Sequence, residues 1–438
     1  MVQHKKVLGV WRLTALVIGN MVGSGLFLLP ASLAGVGSIS LLAWIVTGIG
    51  AICIALVFAR LASIMPKVGG PYAYCHDSLG NFMGFQTAYN YWIYIWVGNT
   101  AIVITFVGYL GYFFPALAHN HRLWFIVAAT TVWLITLINI KGVREASIFQ
   151  LVTVILKITP ILLVAIIGLS YINVNNFHAF NISGHSTFGA LNTAATLTLW
   201  AFTGVESATV PAADVKNPQR AIAVATILGT LISATLYILS TIVLMGIIPM
   251  RQLAQSSAPF SDAAKIIFGE KAAVVITIAA LISTLGALNG WTLLQGQVPF
   301  AAAKDKLFHH AFTKETKNGS PYVALIISAI LITLLLLLNS GSLVTVFDFM
   351  ISLAIIATLF VYFFSCVAQI KLMVTNSACF SKKHISRDVI ICLLAMSYII
   401  WAIIGSGWKI IADGVLLFLT GIPIYIWIYL SHKKRFQS

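Results

Sequence analysis

The chain has 438 residues, 60% of them hydrophobic and only 8% charged, with a mean hydropathy of +0.97. A soluble domain carries about 25% charged residues, so the composition excludes a soluble globular protein and points to a polytopic membrane protein. The formal charge of +15 does not call for nucleic acid, because cytoplasmic loops of membrane proteins accumulate Lys and Arg.

Apolar runs long enough to span a bilayer, roughly 20 residues each, fall near 10–34, 38–63, 84–114, 123–140, 146–171, 189–212, 219–248, 272–303, 321–340, 344–370, 389–408 and 411–431. They predict an all-α membrane protein of twelve transmembrane helices in a single domain over residues 1–438. The first run contains Arg12 and Asn20 and continues past signal-peptide length, so it is expected to be retained. Of the 26 Lys and Arg residues, twenty fall on the side of the termini and five on the other, which predicts cytoplasmic termini. Cys53, Cys75, Cys366, Cys379 and Cys392 show no paired spacing, so neither a disulfide framework nor a metal site is expected.

Two of the runs look interrupted. The first carries Gly19, Gly23, Ser24 and Gly25 at mid-depth, and glycine is a poor helix former. Irregular backbone survives inside a membrane only where it is buried in protein or lines a cavity. A break there yields two half-helices whose bare N–H and C=O groups suit a small zwitterion; tight packing through small residues is the alternative. The sixth run is interrupted near Thr198–Ala208. Broken first and sixth helices predict a five-plus-five inverted repeat of the LeuT-like kind, with its site at the midplane. Repeat one covers about 10–171 and repeat two about 189–370, with two extra helices at about 389–431.

Few residues at depth carry chemistry. Glu206 is the one carboxylate deep in an apolar run, beside the sixth-run break, and an intramembrane acid is a functional candidate or a structural partner to a tyrosine or backbone N–H. Asp348 lies about a turn inside the tenth run, where a vestibule could hydrate it. Lys157 in the fifth run is the one cation at depth and needs a partner or must shed its proton. Trp200 and Trp291 sit at mid-run, suited to stacking on a cationic substrate or to core packing. Asn99 is an amide within the third run, where a helix-to-helix hydrogen bond is the alternative to ligand binding. Val68–Tyr74 and Asp214–Pro218 read as turns.

The stretches Asn20-Met-Val-Gly-Ser-Gly-Leu-Phe, Gly69-Gly-Pro-Tyr-Ala-Tyr, Trp200-Ala-Phe-Thr-Gly-Val-Glu-Ser, Val215-Lys-Asn-Pro and Gly290-Trp-Thr-Leu-Leu resemble the amino acid–polyamine–organocation (APC) transporters over about residues 8–430. Within them the chain is most similar to bacterial arginine/agmatine antiporters, with ornithine/putrescine and lysine/cadaverine antiporters next. The resemblance implies a twelve-helix inner-membrane carrier, usually a homodimer, with no cofactor. It places the substrate carboxylate on the N–H groups of Ser24 and Gly25, and the α-amino group on carbonyls near Met21, Trp200 and Thr203. It further implies that Trp200 stacks on the substrate, Trp291 closes a middle gate and Asn99 holds the distal polar end. Glu206 would then couple the broken helix to proton or substrate state, and Tyr91 would belong to an outer gate. Two positions depart from the arginine/agmatine pattern: Tyr94 replaces a small pocket residue, and Lys157 replaces an apolar one, as in proton-coupled and exchanging carriers of the superfamily. The expected function is exchange of a cationic amino acid for its decarboxylated amine, with a proton-coupled or exchanging carrier of neutral amino acids as the alternative. An enzyme would need an acid–base or metal constellation at depth, where the sequence supplies one carboxylate and no histidine.

Overall fold

The computed structural model describes residues 9–65, 69–141, 158–159, 161–209, 215, 217–338, 341–375 and 382–435. Its regular elements are helical, and each of the twelve apolar runs contains a helix. In chain order they are α1 (Val10–Met21), α2 (Ser24–Ala34), α3 (Ser40–Ile64), α4 (Pro71–Leu79), α5 (Asn81–Leu110), α6 (His121–Lys141), α7 (Ile161–Tyr171), α8 (Thr187–Phe202), α9 (Pro218–Ile247), α10 (Pro259–Phe268), α11 (Glu270–Lys304), α12 (Tyr322–Leu338), α13 (Leu343–Thr375), α14 (Lys382–Gly405) and α15 (Trp408–Arg435). Among the described residues eight helices are long and apolar enough to cross a bilayer on their own, and α1 with α2 qualifies as a bent ninth. The helices α7, α8 and α12 are shorter, α8 reaching 16 residues and α12 reaching 17.

Where each helix sits follows from what its faces carry. The centre is built from α5, packed on α11 and α13, and from α3, packed on α9. On α5 the positions Gln86, Asn90, Asn99, Thr100 and Thr105 are buried together with Tyr91 and Tyr94, so this helix has no lipid-facing stripe over most of its length. By contrast α15 leaves Leu416, Leu419, Ile426, Trp427 and Leu430 exposed, an apolar surface that only hydrocarbon solvates at no cost. The protein is therefore a multi-pass membrane protein with a polar-seamed core and an apolar outer ring.

Of the stretches predicted as turns, Val68, Asp214 and Lys216 lie outside the described residues, and what is described leads into helices. Gly69 and Gly70 take φ of +111° and +62°, a region that favours glycine, and Pro71 then opens α4 at its first position. Tyr72 of that helix donates to Asp305 at the end of α11, at 3.3 Å. Asn217, left-handed at φ +48°, caps the start of α9 before Pro218. Asp388, on α14, is buried between Arg60 of α3 at 2.8 Å and its neighbour Arg387 at 3.1 Å.

Candidate functional site

The interruptions fall where the glycines predict. Between α1 and α2 the backbone leaves the helix at Val22 (ψ 83°) and Gly23 (φ −133°, ψ −136°), and the two halves meet at 41°. A Cβ on Gly23 would lie 3.3 Å from that of Ala287 on α11, so the break is pressed against its neighbour. Ser24 and Gly25 are the first residues of α2, and N–H groups at a helix start have no partner within the helix. The second interruption follows Phe202: Thr203 is extended, Gly204 takes φ +96°, and a 3-10 turn runs over Val205–Thr209.

The two interruptions face one cavity. Asn20, Met21, Gly23 and Gly25 from the first, Trp200 and Thr203 from the second, Ile102 of α5 and Trp291 of α11 line it. Its walls leave no slack. A Cβ on Gly25 would come 3.1 Å from the Ala201 backbone and 3.2 Å from the Trp200 ring, and one on Gly98 of α5 would come 2.7 Å from the far edge of the same ring. Trp200 is thus wedged between two glycines. Tyr94 stands edge-on to Trp200 (6.2 Å between centroids) and to Trp291 (5.4 Å), and stacks on Tyr91 at 5.7 Å. Trp291 lies over Gly204, 3.1 Å from where a Cβ would stand. Three helices therefore supply an aromatic box, whose ring faces attract a cation by about 0.5–2 kcal/mol each.

Behind the box Glu206 and the carbonyls that end α8 are paired. Both oxygens of the fully buried Glu206 accept from tyrosines, Tyr91 at 2.8 Å and Tyr362 of α13 at 2.6 Å. The carbonyl of Trp200 accepts from the N–H and the hydroxyl of Thr203 (3.2 and 2.7 Å), and that of Ala201 from Tyr237 of α9 at 2.9 Å. Asn99 donates to Gln295 of α11 at 2.7 Å. Asp348 accepts from the hydroxyl of Ser32 on α2, so its carboxylate ties two helices.

Over α2, the second half of the first break, lies α10. Phe260 packs edge-on against Phe27 of α2, and Tyr109 of α5 donates to the Phe27 carbonyl at 2.9 Å and accepts from the Phe260 N–H at 3.3 Å. Asp262 of α10 accepts from Ser256 at 2.5 Å. Burial pushes its carboxyl up, with the Ser256 bond and the charge of Lys265 opposing. Lys265 pairs with Glu270 at 2.7 Å.

Of the residues singled out from the sequence, Met21, Gly25, Trp200, Thr203 and Trp291 line the cavity, and Tyr94 backs it. Ser24 opens α2 beside it. Tyr91, expected at an outer gate, holds Glu206 in the core, and Asn99 sits one turn from the cavity residue Ile102. Lys157 lies outside the described residues. Two participants were missed, Tyr362 and Gln295. Each is a polar residue in the middle of an apolar run, and that was their available signal.

Comparison with known proteins shows the family. The amino acid permease family matches residues 8–430. A cadaverine/lysine antiporter of Escherichia coli is 37% identical over 84% of this chain and 84% of its own. A putrescine transporter, PotE, of Haemophilus influenzae is 33% identical over 95% and 96%, and a putative arginine/ornithine antiporter of Bacillus subtilis is 31% identical over the whole of both. With a paired helix break around one small cavity and a family match over nearly all its length, the chain belongs to the amino acid permeases of the APC superfamily, a family of transporters.

Proposed function

We propose that the protein is an antiporter that exchanges a cationic amino acid for its decarboxylated amine by alternating access. The observation that carries this reading is the box of Tyr94, Trp200 and Trp291 set against the uncapped start of α2. One end of the cavity offers N–H groups to a carboxylate. The aromatic faces suit a cation and an aliphatic stem, and no second carboxylate is needed. Similarity to a cadaverine/lysine and a putative arginine/ornithine antiporter supports amino-acid antiport, and makes lysine with cadaverine the first pair to test and arginine, against ornithine or agmatine, the second. In this reading the α-amino group meets carbonyls at Met21 and Thr203, Asn99 holds the distal end, and Trp291 is the middle gate.

The twelve helices form a five-plus-five inverted repeat in this proposal, with repeat one over about 10–171, repeat two over about 189–370, and α14 and α15 outside it. Both termini are cytoplasmic, the membrane is the inner membrane, and the carrier pairs as a homodimer. Glu206 and Lys157 are the coupling residues: Lys157→Ala flattens the pH dependence of transport, and Lys157→Arg, permanently charged, does not restore it.

The test is a proteoliposome exchange panel at acid and neutral pH. Labelled lysine, arginine, ornithine or leucine is offered outside, with cadaverine, agmatine, putrescine or nothing inside. Uptake of a cationic amino acid that requires an internal amine is the expected result. Leucine uptake without cationic uptake would overturn it in favour of a neutral carrier.

A further inference from the structure

Gln295 stands on α11 one turn past Trp291, fully buried, and its oxygen receives an N–H of the equally buried Asn99 across from α5. That single bond fixes what the pair can offer. Asn99 has spent a donor, and its own oxygen Oδ1 is left with no partner among the described residues, as is the Gln295 nitrogen Nε2. A buried amide oxygen without a donor is costly to keep, and a ligand that supplies the donor removes that cost. Each member of the pair stands one helical turn from a wall residue of the cavity. Ile102, one turn on from Asn99, and Trp291, one turn before Gln295, are both wall residues, and Gly98 touches the ring of Trp200.

We infer that Gln295 is a positioning residue that orients the Asn99 amide so that its free oxygen accepts the distal ammonium or guanidinium of the substrate. Without Gln295 the Asn99 side chain has no acceptor to hold its N–H, and the amide is free to turn that N–H toward the cation, which repels it. The sequence does not announce this role, because a glutamine in an apolar run reads as a helix-to-helix contact. The inference rests on the cationic-substrate reading and sharpens it. The selection is for a hydrogen-bond donor at the far end, made by an oxygen whose direction is set from a second helix. The unpaired Nε2 of Gln295 is the imperfect part of this arrangement, since it brings a donor close to a cation.

The variants Gln295→Leu, Gln295→Glu and Asn99→Leu separate positioning from structure, each measured as KM and kcat for lysine and for cadaverine exchange on monodisperse protein. Gln295→Leu should raise KM for both about tenfold, the scale of one charge-assisted hydrogen bond, and leave kcat within about twofold. Gln295→Glu keeps the accepting oxygen and removes the unpaired N–H, so its KM should match or fall below the wild-type value. Asn99→Leu should reproduce Gln295→Leu, and the double variant should be no worse than either single one, because both act through the same oxygen. A wild-type KM in Gln295→Leu, or a Gln295→Glu as impaired as Gln295→Leu, would overturn the assignment. So would a loss confined to kcat, which marks a structural clip. A wild-type protein that exchanges no cationic substrate at all would overturn the functional reading with it, whereas cationic exchange with an indifferent Gln295 overturns this inference alone.

Discussion

The two helix breaks hold opposite kinds of backbone. The first is made of glycine and carries no side-chain cap, so the N–H groups that open α2 remain for a ligand. The second is tied on every side: Thr203 and Tyr237 take the carbonyls of α8, and two tyrosines take the acid that follows. Breaks that look alike as interruptions therefore divide the work. In the proposed reading the first recognises the substrate through the N–H groups that open α2, and the second ties the end of α8 to α5, α9 and α13. The cavity is lined from both.

The largest effect should come from giving the bare break a side chain. Gly25→Val adds atoms where even a Cβ stands 3.1 Å from the Ala201 backbone and 3.2 Å from Trp200. It should abolish both binding and exchange while the purified protein stays monodisperse. Heat of lysine binding retained in calorimetry would place the carboxylate elsewhere. Next comes the gate between the breaks. Trp291→Ala removes the ring that covers Gly204 and meets Tyr94. Exchange should be lost with only a few-fold weakening of binding, and wild-type turnover would discard the gating role.

Breaking the braced side should cost stability before affinity. Glu206→Ala strands the hydroxyls of Tyr91 and Tyr362 in the core, at about 1–3 kcal/mol each. Thermal unfolding in detergent should show a fall in Tm of several degrees. Glu206→Gln keeps an oxygen for one tyrosine and should lose less. Equal Tm values for wild type and Glu206→Ala would mean that the brace is dispensable.

The sequence revealed the breaks more readily than their bracing. Glycine at Gly23 and Gly25, and Thr203-Gly204 before an acid, are local signals, because a helix that must open needs residues that tolerate it. The apolar runs located a helix in each of twelve places, since a 20-residue period of hydrophobicity is imposed by the membrane itself. Tyr362 and Gln295 were not legible in the same way. Their importance comes from meeting Glu206 and Asn99 across 156 and 196 residues of chain, and a pairing between helices leaves no trace in the spacing along either one. Asp348 shows the same limit: its depth was legible, but its bond to Ser32 on α2 was not.

The smallest effect should come from the cover over the bare break. Asp262 lies on α10, a short helix that is not one of the membrane spans and whose Phe260 rests on Phe27 of α2, the second half of the first break. Its carboxyl is pushed up chiefly by burial, with the bond from Ser256 and the charge of Lys265 pulling the other way. A carboxyl whose folded pKa is raised favours the folded state in its protonated form. Its contribution is fully present below the unfolded pKa near 3.9 and is lost as pH rises through the folded value. Asp262→Asn keeps an oxygen for the Ser256 hydroxyl and removes the charge. It should therefore unfold at a slightly higher temperature than wild type at neutral pH, by less than about 1 kcal/mol because the site is partly solvated. The difference should close as the pH is lowered toward 4. A variant less stable than wild type at neutral pH would reverse the sign, and would show that the Lys265 attraction outweighs the cost of burial.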